Sequence, residues 1–268
     1  MAITAKDVKS LRDRTGLGMM ECKQALAEVE GDVDKAVDLL RQRGLSKMDT
    51  RSDRTSAEGR VAAIVSEDRS RGAIVELNTE TDFTANNDQF VAMTDAVTRE
   101  ALKHDAGPVE PNDAIKAAID EVRLTTKENV QFARGHVLGG GGSTVGAYVH
   151  FTGKVGVIVE LAGEASDELL KDLCMHISAV SPVPVGVHED EVPESIIDKE
   201  RQVAKAQAME QGKPENIAEK MVEGKIRKFY DEHVLLRQPF IKDDKQQIKD
   251  LLPKGTTIER FVRYQVGG

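Results

Sequence analysis

The sequence predicts an α+β fold. It has a three-helix N-terminal module, a duplicated strand-strand-helix core with antiparallel sheets, and an inserted helical (coiled-coil) hairpin. Three observations predict this. Residues 1–44 carry three short helical periods separated by glycine stops. The run Ala73-Ile-Val-Glu-Leu77 returns as Val157-Ile-Val-Glu-Leu161, each time as the second of two strand-like runs and ahead of a helical one. Gly212 and Pro214 divide two long helical segments.

Taken in order, Thr4-Ala-Lys-Asp7 has capping-box form and opens a helix to about Arg14. Thr15-Gly-Leu-Gly18 is a turn. Met19 to Val29 is a second helix, stopped near Gly31. Asp32 caps a third, from Val33 to Arg43, and Gly44 is expected to end it. Val8, Leu11, Cys22, Ala25, Leu26, Val33, Val37 and Leu40 make a small core. Met19 and Met20 follow a glycine-rich turn, and either complete that core or face a partner as flexible thioethers.

The first core copy reads as strand Arg60–Ser66, strand Gly72–Asn78 and helix Asp88–Leu102, with a further helix from Asp113 to Thr125. The second reads as strand Thr144–His150, a turn at Thr152-Gly153, strand Gly156–Leu161 and helix Asp167–Val180. Thr256 to Val266 alternates and reads as a final strand. Glu194 to Gln211 and Pro214 to about His233 form the hairpin. Val222, Ile226 and Phe229, with Ile217 and Met221 ahead of them, make its stripe. The pair either packs on the body or projects as an arm. The domain boundaries read as 1–44 for the module, 45–58 for a polar linker and 59–143 for the first half. The second half takes 144–188 and 236–268, and the hairpin 189–235.

One aromatic stands apart. Phe83 lies in the polar loop Asn78-Thr-Glu-Thr-Asp-Phe-Thr-Ala85, between a strand and a helix. With 7 Phe, 3 Tyr and no Trp in 268 residues, an aromatic at a loop tip is not a routine choice. It either folds back on the next helix as a hydrophobic staple or is held out for recognition.

Composition excludes several classes. Apolar content is 40% and charged content 31%, and no apolar run approaches the roughly 18 residues of a membrane span. The first residues lack a basic region followed by an apolar stretch, so no secretory signal is read and a cytoplasmic location is expected. A net charge of −9 repels phosphate backbones, so nucleic acid is not expected as the main partner. Cys22 and Cys174 read as buried thiols without metal-ligand spacing. The six histidines are scattered. Gly139-Gly-Gly-Gly142 lacks the following Lys-Ser/Thr of a phosphate loop and reads as a flexible joint. No arrangement for covalent chemistry, no cofactor and no metal site is expected.

Three long motifs carry a resemblance. Leu11-Arg-Asp-Arg-Thr-Gly-Leu-Gly-Met-Met-Glu-Cys-Lys-Gln-Ala-Leu26, Glu76-Leu-Asn-Thr-Glu-Thr-Asp-Phe-Thr-Ala85 and Ile217-Ala-Glu-Lys-Met-Val-Glu-Gly-Lys-Ile226 resemble the elongation factor Ts family, in its order and over essentially the whole chain. The resemblance implies a module of ubiquitin-associated type and a projecting arm. It also implies guanine-nucleotide exchange on elongation factor Tu, without enzymatic chemistry. Phe83, assisted by Asp82 and flanked by Thr81 and Thr84, would wedge near the Mg²⁺ of the bound GDP. Arg12, Met19, Met20 and Lys23 would grip the G domain of elongation factor Tu, and His176 and Ile241 would add contacts from the second half. A homodimer, a 1:1 complex and a 2:2 complex all remain open.

The chain departs from the family pattern at Thr79, where many members have Cys, and at Thr84, where many have Val. It departs again at Thr126-Lys127, where an aliphatic residue and Gly are common. It stops at Gly268 straight after its last strand, so the extra C-terminal helical module of some members is expected to be missing. Two other readings compete. One is a helical adaptor that binds without exchange, and the other is an enzyme that uses the glycine run for a nucleotide.

Overall fold

The computed structural model describes residues 3–49, 54–212 and 214–268. The chain forms two compact units. One comprises the residues up to Ala62, Val75–His136 and Tyr264–Gly268, and the other Ala63–Ile74 and Val137–Arg263.

The first unit opens with α1 (Ala5–Thr15), α2 (Met19–Glu28) and α3 (Val33–Asp49). Local chemistry sets their ends. The Thr4 amide donates to the Asp7 carboxylate at 2.9 Å, and the Asp7 amide returns to the Thr4 hydroxyl at 3.3 Å. Gly16, at φ +68°, ends α1 in the left-handed region. Asp32 caps α3 by accepting from the amides of Asp34 and Lys35, each at 3.1 Å. Val8, Leu11, Cys22, Ala25, Leu26, Ala36 and Leu40 are buried together, with Val33 and Val37 packed against them.

The expected stop at Gly44 is not observed, and α3 runs through it to Asp49. Gly44 instead allows close approach, since a Cβ there would lie 2.0 Å from a methyl of Leu124. Of the expected linker, residues 45–49 continue the helix, 50–53 lie outside the described residues and Glu58 opens the next strand.

The first core copy is β1 (Glu58–Val65), β2 (Arg71–Thr79), α4 (Asp82–Ala85), α5 (Asp88–Ala101), β3 (Gly107–Pro108), α6 (Asp113–Thr126) and β4 (Gln131–Gly139), in sheet order β1-β2-β4-β3. The second begins with β5 (Thr144–Val149), β6 (Val155–Ala162) and α7 (Asp167–Ala179). The hairpin α8 (Glu194–Glu210) and α9 (Glu215–His233) follows. Then come the short pair β7 (Pro239–Phe240) and β8 (Asp243–Gln247), and last β9 (Thr257–Gln265). Its main sheet has the order β5-β6-β9, with Thr144 opposite Leu161 and Val149 opposite Gly156.

The duplication extends to a charge pair. In each copy the second strand is central and the last long strand lies beside it. Glu76 on β2 is buried and accepts from the Arg134 Nε of β4 at 2.8 Å. Glu160 on β6 is buried and accepts from the Arg260 Nε of β9, also at 2.8 Å. A buried carboxylate persists only when it is paired, so the Glu in both repeated pentapeptides marks where the closing strand must bring an Arg.

Strand β4 has no counterpart in the sequence reading. Gly135 and the polar side chains around it break the apolar alternation. The glycine is there for packing: a Cβ would lie 2.7 Å from the ring of Phe132 and 3.1 Å from Val109.

In the second unit, Leu169, Leu170, Leu173, Cys174 and Ile177 recur at helical spacing along α7 and are buried with Val157, Val159 and Leu161 of β6. Helices α8 and α9 pack mainly on each other. Their seam is small at one end, with Ala204, Ala208 and Ala218 buried. At the other end Ile197 and Ile226 are buried with Val192 and Val234, and Val222 and Phe229 pack alongside. Ile217, expected in the stripe, stays exposed, because Ala218, the next residue, takes the inward position at that turn of α9.

Candidate partner-binding surface

Phe83 is 85% exposed, so the staple arrangement is not adopted. It sits in α4, a single helical turn, and this turn is anchored from its base. Thr81 caps α4, its hydroxyl accepting from the Thr84 amide at 3.3 Å. The same hydroxyl donates to Glu128 Oε1 at 2.6 Å. Glu128 Oε2 accepts from the Thr81 amide at 3.1 Å and from the Thr79 hydroxyl at 2.7 Å.

A second carboxylate works in the reverse direction. Glu80 Oε1 accepts from the Asn129 amide at 2.8 Å, and Asn129 is buried. The two connections, β2–α4 and α6–β4, therefore hold each other's backbone through one glutamate apiece. Burial acts against the charged form of Glu128. Hydrogen bonds from Thr81, Thr79 and Thr84 outweigh it and hold the carboxyl below its usual range. Thr79 and Thr84, two of the departures noted above, thus both serve this carboxylate.

The N-terminal module presents its side of the surface from the start of α2. Met19 is 44% and Met20 76% exposed, so neither completes the small core. Lys23 follows one turn later and Arg12 lies in the last turn of α1, and both are exposed. Glu21, beside the methionines, lies 3.8 Å from Lys127 Nζ. Lys127 ends α6 in the left-handed region at φ +60°, immediately before Glu128. The residue that meets α2 and the residue that anchors the Phe83 loop are therefore consecutive, and the two expected patches belong to one unit. The ion pair itself is exposed and contributes on the order of 0–1 kcal/mol.

His176 and Ile241 lie in the second unit and meet each other. Ile241 is exposed, whereas His176 is fully buried on α7 and offers no contact surface of its own. Gln238 Nε2 donates to the carbonyls of Pro182 and Glu232, which leaves Oε1 to accept from His176 Nε2 at 3.1 Å. The Nδ1 of His176 accepts from the Ile241 amide at 3.2 Å. The residue thus fixes the backbone of Ile241 from behind.

Burial pushes the His176 pKa down, opposed in part by Gln238. An unfolded histidine titrates near pH 6.5, so below that pH the unfolded chain takes up a proton that the folded chain refuses. The stability contribution of neutral His176 is complete above about pH 6.5 and declines as the pH falls. The melting temperature is expected to drop between about pH 6.5 and 5.5, and His176→Gln should flatten that slope, as followed by thermal melting across this range.

One exposed aromatic escaped the sequence reading. Phe151, 87% exposed, tips the β5–β6 hairpin with the His150 ring 4.3 Å away. The available signal was the same as for Phe83, an aromatic beside a polar turn. Among the described residues, no group of three or more His, Cys, Asp or Glu is placed to hold a metal ion, and no helix is long and apolar enough to cross a membrane. Cys22 and Cys174 are free and buried.

Comparison with known proteins places this chain among the translation elongation factors. A family model described as Elongation factor TS matches residues 80–268. The chain is 45% identical over 275 residues to the Elongation factor Ts of Alkalilimnicola ehrlichii and 48% identical over 276 residues to that of Methylococcus capsulatus. Each match covers 100% of this chain and 93% of the relative. It is 38% identical over 290 residues to that of Aquifex aeolicus, covering 100% and 99%. The chain belongs to the elongation factor Ts family.

Proposed function

We propose that the chain is a guanine-nucleotide exchange factor, not a catalyst of covalent chemistry. It binds the GDP form of elongation factor Tu in the cytoplasm, disturbs the Mg²⁺ beside the nucleotide and speeds GDP release, so that GTP can rebind. The observation that carries this reading is Phe83, an exposed aromatic on a loop held by two glutamates. Asp82, Thr81 and Thr84 stand with it, and Met19, Met20, Arg12 and Lys23 supply a grip from the same unit.

Exchange needs only differential binding. A protein that binds the nucleotide-free GTPase more tightly than its GDP form weakens GDP by the same factor. Each tenfold takes about 1.4 kcal/mol. A large aromatic buried on complex formation is the side chain best able to supply several tenths to several units of this at one point. The net charge of −9 fits a protein partner rather than direct contact with nucleic acid.

The test is release of a fluorescent GDP from bacterial elongation factor Tu, followed by stopped flow with excess unlabelled nucleotide. Acceleration that saturates with chain concentration supports exchange. Tight binding without acceleration would make the chain a helical adaptor, and direct GDP or ATP binding by the chain alone would favour an enzyme.

A further inference from the structure

We propose that Glu128 is the positioning residue that holds the Phe83 loop in its exposed, contact-ready conformation. This rests on the exchange reading above. Phe83 is so exposed that its own contacts do not fix it. A four-residue helix such as α4 is far too short to be stable alone, because a first turn fixes several dihedrals for one hydrogen bond. Left to itself, the loop would sample other conformations and the ring would fold onto apolar neighbours.

Glu128 counters this from outside the loop. It approaches from the α6–β4 connection, 47 residues along the chain from Thr81. Its two oxygens take the Thr79 hydroxyl at the end of β2 and the Thr81 amide and hydroxyl at the cap of α4, and the Thr84 hydroxyl adds to them. The Thr81 hydroxyl passes the restraint on by accepting from the Thr84 amide, on the far side of Phe83. Glu80 secures the other member of the clasp through Asn129, so Glu128 cannot drift without dragging that backbone. Holding the loop before binding removes an ordering cost from the complex. Glu128 itself need not touch the partner.

A carboxylate is sufficient here but not required. The amide of Gln could accept with its oxygen from Thr79 and the Thr81 amide, and donate with its nitrogen to the Thr81 hydroxyl. Ala removes the acceptor that all of these donors share, and Asp draws the carboxylate back by one methylene.

The experiment reads GDP release from elongation factor Tu at saturating chain, together with amide hydrogen exchange of residues 81–86 in the free chain. Glu128→Ala and Glu128→Asp are expected to lower the maximal release rate about tenfold, with a smaller change in the half-saturating concentration. Amide exchange at residues 84–86 should rise about tenfold, with α8 and α9 unaffected. Glu128→Gln should stay within about threefold of the parent in both readouts. In a Phe83→Ala background, Glu128→Ala should lower the release rate no further.

An equal additional loss in that background would overturn the proposal, because Glu128 would then act other than through Phe83. Unchanged amide exchange in both Glu128→Ala and Glu128→Asp would overturn it independently of the partner. Failure of the parent chain to accelerate release would sink the exchange reading instead, and the amide exchange would still report whether Glu128 orders the loop.

Discussion

Phe83→Ala is expected to lower the maximal rate of GDP release from elongation factor Tu by about 10- to 100-fold while the complex still forms. Phe83 is 85% exposed in the free chain, so its removal takes nothing from the core. Alanine is also well tolerated in a helical turn, and surface changes of this kind shift stability by only about 0.5 kcal/mol. Any large loss of activity is therefore a loss at the interface. Buried aromatic anchors contribute about 2 kcal/mol or more on truncation, which is on the order of 30-fold. The grip proposed for Met19, Met20, Arg12 and Lys23 lies outside the loop and is expected to survive the change.

The measurement is a stopped-flow titration of release rate against chain concentration, with the plateau and the midpoint compared. A lower plateau at a similar midpoint places Phe83 in the exchange step. An unchanged plateau with a raised midpoint would make it only an anchor for binding, and the driving contact would have to be sought elsewhere, for example at Phe151.

How much of this was legible in the sequence follows from the range of the forces involved. The capping of α1 by Thr4 and Asp7 and of α3 by Asp32 acts within three residues, so it can be read directly. The repeat is legible because β2 and β6 are central strands that need near-continuous apolar runs, and each carries one Glu inside that run. Glycine is ambiguous, since it serves positive φ in one place and close approach in another. Gly16 falls in the turn expected between the first two helices and takes its positive φ there. Gly44 is not the expected stop, because its close neighbour Leu124 belongs to a helix far along the chain. Strand β4 was hidden for the same reason.

The site divides along the same line. That Phe83 was unusual could be seen from composition and placement. Whether it would staple or stand out was decided by Glu128, and no local pattern contains that information. For His176 the motif suggested a contact, but exposure is a property of the tertiary packing, which encloses the ring between Gln238 and the Ile241 amide. The sequence thus identifies residues under unusual demand more readily than it assigns the demand.

The glycine run offers the sharpest test of that ambiguity. Gly139→Ala is expected to destabilise the protein by about 3 kcal/mol or more, and Gly141→Ala by only about 1 kcal/mol. Both positions have positive φ, +97° and +82°, so each substitution carries backbone strain. They differ in surroundings. A Cβ on Gly139 would lie 2.1 Å from the Ser70 carbonyl oxygen, 2.8 Å from the Arg71 Cα and 2.9 Å from a Val145 methyl. Two of these are backbone atoms that cannot rotate away. The Ser70 carbonyl is also engaged, accepting from the Gly140 amide at 3.0 Å. Moving the turn would therefore break a hydrogen bond as well as relieve the clash. Gly141 has nothing within 4 Å of its Cβ position. Thermal melting of the two variants separates the cases, with shifts of roughly 6–12 °C expected for Gly139→Ala and roughly 2–4 °C for Gly141→Ala. Equal small shifts would mean that the turn at Ser70 yields freely, and the whole run would then be the flexible joint that composition alone suggests.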